Sequence, residues 1–460
     1  MSEASLHGRK INQVDPAIEL LESYGLVRDE DSLRVTEFSK KKITRLHREL
    51  YSAVFAKQEK DFDTDARAEI DPFSFVASRS LRGASDCGEY GCRIEKLDLL
   101  GHYAALYATK VIVPLTLQTP EKIRTETAAA EQVSQSALVL LRLRPLVDAG
   151  LVIPVVMRSF HRCEHALAWA NRIIDVSHKI AREAARDFQG DFRLKFQLPE
   201  KSPTGLPTTY IDGPVDFLEH GGGVVTFHEG PGWRQKGWRY DDDGMVELRG
   251  RRKLMFMDGI FSDIADETTF YLAYGRNRNA RYLASRTGET FLLDLFTQKD
   301  DELSASSAAL NAYMTHVLPL LQDVPLARLL QIRSEERDSF ARYRFAVGQF
   351  LTELAKKKKR IGKREVRDAF KSEIEPKLVK MKSELNQERS RQVRRIVGGL
   401  GAMAASLKLG LFGATPAVGA AGIGATLLGK AGVSVCEHGS SLKEKNDFYF
   451  LLRLTQEAEG

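Results

Sequence analysis

Forty residues near the C-terminus, Ile396–Val435, read IVGGLGAMAASLKLGLFGATPAVGAAGIGATLLGKAGVSV; ten of them are Gly, and the charges are Lys408 and Lys430. Each Gly costs about 1 kcal/mol against Ala in a helix interior. An ordinary surface helix therefore does not carry this composition. Helices that must approach one another closely do carry it, in a membrane or in a tight oligomer. Ala414-Thr415-Pro416 divides the stretch into two arms, Ile396–Gly413 and Ala417–Val435. Each arm would measure about 27 Å as a helix at 1.5 Å per residue, close to the thickness of a hydrocarbon core. The pattern predicts a hairpin marked by Gly398, Gly401, Gly413, Pro416, Gly424 and Gly429, with Lys408 as its awkward charge. Gly401–Ala405, Gly413–Ala417 and Ala420–Gly424 set small residues four apart, which would let the arms approach.

The charge is concentrated just before this stretch. Residues 356–395 hold 16 Lys/Arg against 6 Asp/Glu, whereas the whole chain holds 68 against 62. A basic run beside an apolar segment suits an anionic membrane surface. Arg391, Arg394 and Arg395 at the start, with Lys443 and Lys445 beyond the end, would place both ends of an inserted hairpin on the cytoplasmic side. Nucleic acid is the weaker reading of the same charge. A solvated helix face, with the hairpin packed on the protein or on a second copy, explains it equally simply.

The rest reads as mixed α/β. PAIELLESYGLV predicts a helix closed by Gly25, LVRDEDSLRVTEF a hairpin, and KKKITRLHRELYSAVFA a second helix. Beyond them, IEKLDLLGHYAALYA and a long segment from Pro120 to Pro145 read as helices around the strand KVIVPLTL. LVIPVV, a helix over EHALAWANRIIDVSHKIAREAARDF and the strand DFRLKFQL follow, which implies a parallel βαβαβ segment with right-handed crossovers. Residues 208–250 predict short strands, with Asp243–Gly244 as a turn. Residues 251–296 read as mainly helical, and a Leu-rich helix is expected over 303–321. A helix from Ser334 to Lys356 carries the stripe Phe340, Tyr343, Val347, Leu351 and Leu354. The next basic helix, with Val366, Phe370, Ile374, Met381 and Leu385 on one face, is broken near Pro376. The domains expected are an N-terminal helix and hairpin subdomain (1–90), an α/β domain (91–300), a helical region with a basic amphipathic helix (301–395), and the glycine-rich hairpin with its aromatic tail, NDFYFLLRL (396–460).

Catalytic motifs are scarce. Cys87 and Cys92 offer two thiolates, and His161, Cys163 and His165 add two imidazoles and a thiol, donors that zinc accepts. Their spacing is wide and a second Cys-x2-Cys pair is missing, so no cofactor is expected beyond this zinc alternative; buried free thiols are the simpler reading. Gly424–Ala431 imitates a phosphate-binding loop but lacks the Ser/Thr that would hold magnesium. His220-Gly-Gly-Gly223 imitates an esterase oxyanion loop without a Gly-x-Ser-x-Gly elbow, and reads as a turn. Asp258, Asp263, Asp266 and Glu267 read as an exposed helix face rather than a metal-dependent nuclease site.

CRIEKLDLLGHYAALYATKVIVP, LRPLVDAGLVIP, LLQIRSEERDSFARYRFAV and the tail after a small-residue hairpin resemble a loosely defined group of bacterial proteins with no assigned activity. The resemblance covers about a quarter of the chain, in patches. It implies a bacterial cytosolic origin and, by analogy, an effector of a mobile or defence locus. Together these features lead to the expectation of a non-enzymatic effector or interaction protein. Its hairpin would insert into an inner membrane or self-associate, and its partners would be an anionic membrane surface or a second copy. The alternatives are a soluble homo-oligomeric scaffold, and an enzyme or metal-binding protein built on the Cys/His residues.

Overall fold

The computed structural model describes residues 14–26, 38–61, 73–79, 81, 90–123, 125–156, 164–203, 205–214, 222–226, 238–276, 278, 280–284, 289, 292, 324–357, 363–380, 383, 446–450 and 453. The chain divides into two compact units. One comprises residues 1–318 with 355–362, and the other comprises residues 319–354 with 363–460.

The first unit is mixed α/β. Its N-terminal helices are α1 (Pro16–Ser23) and α2 (Lys40–Asp61). Pro16 pre-sets the first helical φ of α1, and the Asp15 carboxylate caps it by accepting from the Ala17 N–H at 2.9 Å. Asp15 is buried and ion-paired to Lys57 of α2, and its own N–H donates to Asp148 at 3.2 Å. Gly25 follows at φ 82, the left-handed closure anticipated for this helix.

Among the described residues the unit continues with eight strands and the helices between them. In chain order they are β1 (Ser74–Ala77), α3 (Tyr90–Leu106), β2 (Lys110–Leu115), α4 (Glu126–Arg142), α5 (Arg144–Asp148), β3 (Val152–Val156) and α6 (Glu164–Asp187). After these come β4 (Arg193–Gln197), β5 (Thr208–Asp212), β6 (Gly222–Thr226), β7 (Met245–Glu247), α7 (Gly250–Arg276) and β8 (Arg281–Leu283). The first sheet has the order β3-β2-β1-β8 with every pair parallel. Strand β1 is thus central, and side chains alternate across it. Phe75 meets Tyr103 and Tyr107, at and just beyond the end of α3, with ring centroids 5.2 and 6.2 Å away. Val76, Ile112 and Val155 point the other way, into a core with Ile180, Ala181 and Ala184 of α6 and Phe261, Ala265 and Tyr271 of α7. Helices on opposite faces, with the strand order reversing beside β1, define a doubly wound sheet.

The parallel βαβαβ unit exists, with a different membership from the one expected. It is formed by β1, β2 and β3; the segment RLKFQ, expected as its third strand, belongs to a second sheet. There β4 pairs antiparallel with both β5 and β7, in the order β6-β5-β4-β7. The reason is its alternation. Leu194 and Phe196 are buried while Arg193 and Lys195 are exposed, the pattern of a strand with one wet face rather than of a doubly covered parallel strand. This sheet is inserted between α6 and α7, which run antiparallel, as the pairs His178–Asp266 and Phe192–Phe261 show. Gly244, at φ 68, closes the turn into β7, and the Asp241 N–H donates to the Met245 carbonyl at 3.0 Å. Gly222 and Gly223 lie in β6, opposite Asp212 and Ile211, so these two glycines of the His220–Gly223 run form a strand and not a turn. The helix expected from Pro120 is split. A single turn at Pro120–Lys122 precedes α4, whose N-cap Thr125 accepts from the Ala128 N–H at 3.2 Å. The hairpin expected over LVRDEDSLRVTEF lies almost wholly outside the described residues, and the helix over 303–321 lies wholly outside them.

The second unit contains α8 (Leu326–Glu335), α9 (Arg337–Lys357), which crosses the boundary near its end, and α10 (Lys363–Glu373). Phe340, Tyr343, Val347, Leu351 and Leu354 are all buried, as the stripe on α9 requires. The basic helix breaks at Ile374, two residues before Pro376, and resumes over 375–380, where a proline at the second position needs no N–H partner. Phe370 and Ile374 are buried, whereas Arg367, Lys371, Lys377 and Lys380 are exposed.

Two predictions follow from the packing. A mid-helix Gly→Ala change ordinarily gains about 1 kcal/mol. At Gly275 of α7 an added Cβ would lie 2.6 Å from the Ala280 carbonyl oxygen and 3.4 Å from Val76 of the central strand. Gly275→Ala is expected to destabilise by about 1–3 kcal/mol, read as a lowered melting temperature. His47 of α2 is buried, and burial pushes its pKa below the ordinary value. Its Nε2 lies 3.1 Å from Gln132 Oε1, which also accepts the Gln118 N–H at 2.9 Å, so Nε2 carries the proton in the neutral ring. The unfolded chain therefore binds more protons than the folded one below the unperturbed histidine pKa near 6.5, and stability falls as pH drops through that region. His47→Gln should flatten this acid limb in urea titrations at successive pH values.

Candidate functional site

Two places in the molecule have the makings of a site. The first is the C-terminal edge of the parallel sheet, where doubly wound folds bind ligands beside the strand at which the order reverses. Here that strand is β1. The Ser78 N–H donates to the Leu283 carbonyl at 3.1 Å, closing the edge between β1 and β8, and Ser78 is fully buried. The sequence after β1, SRSLRGASDCGEYG, contains no Gly-x-Gly-x-x-Gly, so a dinucleotide-type phosphate cradle is missing from its usual position.

The metal-ligand candidates flank the same sheet in sequence. Cys92 lies in α3 and His165 in α6, and their side chains are outside the described residues, as are Cys87, His161 and Cys163 altogether. Among the described residues no group of three or more His, Cys, Asp and Glu side chains could hold a metal. The α7 carboxylates do not converge. Asp263 and Asp266 are exposed, and Asp266 is 2.6 Å from His178 Nε2. Partial desolvation, then the Asp266 charge, raises the Asp263 pKa. Asp258 and Glu267 are half-buried, and each keeps one buried oxygen with no hydrogen-bond partner among the described residues. The exposed-face reading holds for two of the four.

The second place is the aromatic groove of the helical unit. In this unit the described residues run to the helix over 375–380 and Ser383, and begin again at Asn446. Gly398, Gly401, Lys408, Gly413, Pro416, Gly424 and Gly429, and the basic Arg391, Arg394 and Arg395, all fall in that interval, outside the described residues. What is described is how its two ends are held. Phe450 is fully buried, its ring 5.0 Å from Phe340 and 5.5 Å from Tyr343. Phe448, 5% exposed, packs edge-on to Tyr343 at 6.4 Å. Lys377 Nζ lies 5.4 Å from the Phe448 ring, which ties the helix over 375–380 to the tail. The Asn446 side chain accepts from the Phe448 N–H at 3.1 Å and turns the backbone into the groove. The tail thus docks on the helices, as its composition led one to expect. Burial of each Phe stabilises the docked tail by roughly 2–3 kcal/mol.

Cations line the same groove. The Arg333 guanidinium lies 4.1 Å and that of Arg344 5.4 Å from the Phe340 ring centroid. Arg333 is half-buried. That burial, followed by the neighbouring Arg344 charge, lowers its pKa to about 9. On the outer surface of this unit Phe345 and Val379 remain 65% and 63% exposed. The aromatic residues of the groove were legible beforehand as the α9 stripe and the tail; the flanking arginines, Arg333 on α8 and Arg344 on α9, were not singled out, because arginines on amphipathic helices read simply as solvated charge.

Phe450→Ala should loosen the tail without unfolding α9. The expected result is a large gain of protease sensitivity after residue 440 with an unchanged helical circular dichroism signal. Among the described residues no helix is long and apolar enough to cross a membrane. Comparison of the chain with protein-family models, with curated proteins and with solved structures finds no match.

Proposed function

We propose that this chain is a non-enzymatic interaction protein whose glycine-rich segment is its working surface, presented from the helical unit toward an anionic membrane. The observation that carries the reading is the packing of the tail against the helices that precede the segment in sequence. Lys377 and Phe448, which flank the glycine-rich segment in sequence, lie against one another. That arrangement suits a hairpin whose flanks both stay in the cytoplasm. The exposed Arg367, Lys371, Lys377 and Lys380 extend the basic run onto the folded surface, where each cation near an anionic bilayer contributes about 1 kcal/mol.

A second reading rests on the small residues four apart, Gly401–Ala405, Gly413–Ala417 and Ala420–Gly424, which suit packing between copies. In that case the protein is a soluble homo-oligomer and lipid is irrelevant to it.

Vesicle flotation separates the two. Residues 384–445 would be replaced by a Gly/Ser linker of about twelve residues, which reaches roughly 40 Å and is long enough to rejoin the ends. The full chain is expected to float with phosphatidylglycerol vesicles but not with pure phosphatidylcholine vesicles, and the linker variant with neither. Replacing Arg391, Arg394 and Arg395 with Gln should weaken binding about 100-fold at low salt. If the full chain and the linker variant partition alike, the membrane reading is wrong; if only the full chain is oligomeric and neither floats, the second reading replaces it.

A further inference from the structure

Helices α6 and α7 lie antiparallel, and the outer face of the pair is exposed. Three of the five large hydrophobic side chains that stand exposed among the described residues belong to it: Ile174 at 41%, Met255 at 66% and Phe270 at 46%. The His178–Asp266 contact fixes where they lie. Ile174 is four residues before His178 and Phe270 four after Asp266, so both stand one helical turn beyond that contact on the same face. Along α7 the exposed residues Met255, Gly259, Asp263, Asp266 and Phe270 follow at spacings of three or four and form one stripe. Met255 and Phe270 are its ends, about 22 Å apart at 1.5 Å per residue. Clustered apolar exposure of this kind marks an interaction site.

Charge divides between the two helices. Lys179, Arg182 and Arg186 are exposed on α6, and Asp263 and Asp266 on α7. The three cations and Asp263 form no ion pair among the described residues. Within one copy the carboxylates repel instead: partial desolvation, then the Asp266 charge, raises the Asp263 pKa. The face is therefore complementary to itself. A two-fold axis sets residue i against j wherever it sets j against i. With the axis at the middle of the α7 stripe, Met255 of each copy meets Phe270 of the other, a sulfur–aromatic contact made twice. Gly259 then meets Asp266, and an added Cβ at Gly259 would touch nothing within 4 Å, so the incoming side chain has room. Asp263 of the other copy falls opposite Ser262. The antiparallel register places Ser262, four before Asp266, beside Arg182, four after His178. The face covers about 450 Å² per copy, from the stripe length and two helices about 10 Å wide, which is the size of a weak, reversible interface.

We infer that the outer face of α6 and α7 is a docking surface for a second copy of this chain, paired about a two-fold axis through Met255 with Phe270 and Arg182 with Asp263. It uses no residue of the glycine-rich segment and stands apart from both readings of that segment.

The test is sedimentation of the full chain without lipid, from about 1 to 100 μM, the range suited to an interface of this size. Wild type should pass from monomer to dimer. Met255→Glu and Phe270→Glu should each weaken dimerisation about tenfold or more. Arg182→Glu and Asp263→Arg should each weaken it about tenfold, because like charges then face one another. An equimolar mixture of those two variants should dimerise as wild type does, since each restores the charge that the other lacks. A contact within one copy cannot produce that rescue. All four positions are exposed, so each variant should keep the wild-type melting temperature. The variant with a linker in place of 384–445 should also dimerise as wild type does, which separates this surface from association through the glycine-rich segment. A monomer throughout the range, dimerisation indifferent to the four changes, or dimerisation lost only with the linker would overturn the docking surface. A mixture that stays as weak as its two components would overturn the pairing of Arg182 with Asp263.

Discussion

Strand β1 carries the architecture of the first unit on four residues. Ser74–Ala77 lies between β2 and β8, and its two middle side chains divide the work: Phe75 is sealed by Tyr103 and Tyr107, Val76 by α6 and α7. Each neighbouring strand is parallel to it, so both must be reached by a crossover, and the crossovers cover opposite faces. The same geometry explains why Gly275 has no room for a side chain. The end of α7 turns directly over Val76 to enter β8. Into the α6–α7 limb is set the antiparallel sheet, whose inner residues Leu194, Phe196 and Ile211 extend the core that Val76 begins.

The second unit is organised by aromatic burial rather than by strand order. Phe340 and Tyr343 of α9 receive Phe448 and Phe450 from the end of the chain. Burial of the two phenyl rings stabilises this packing by roughly 2–3 kcal/mol each. Lys377 and Phe448, on either side of the interval 381–445 in sequence, are thereby in contact.

How far the sequence revealed this depends on the kind of signal. An apolar stripe at period 3.6 marked α9, and the tail announced its own burial through its aromatic and apolar composition. Alternation in RLKFQ was present but was overridden by its position after a helix, and the segment was assigned to the parallel sheet. Only the partner strands β5 and β7, one of them distant in sequence, decide its membership. Strand β1 was not anticipated, because SFVA is too short to show a period and its burial on both faces comes from tertiary neighbours. At the candidate site, the cysteines and histidines shared a sequence pattern with zinc ligands, and residue type alone could not say whether they converge. The glycine-rich interval was conspicuous by composition; the groove that holds its far end became visible only when Phe450 could be placed against Phe340.

The most direct measurement of the central claim is hydrogen–deuterium exchange of the full chain with and without phosphatidylglycerol vesicles, followed peptide by peptide. Slowed exchange is expected, confined to residues 396–435 and the adjoining basic segment, with the first unit unchanged. Identical exchange of 396–435 in both conditions would contradict it.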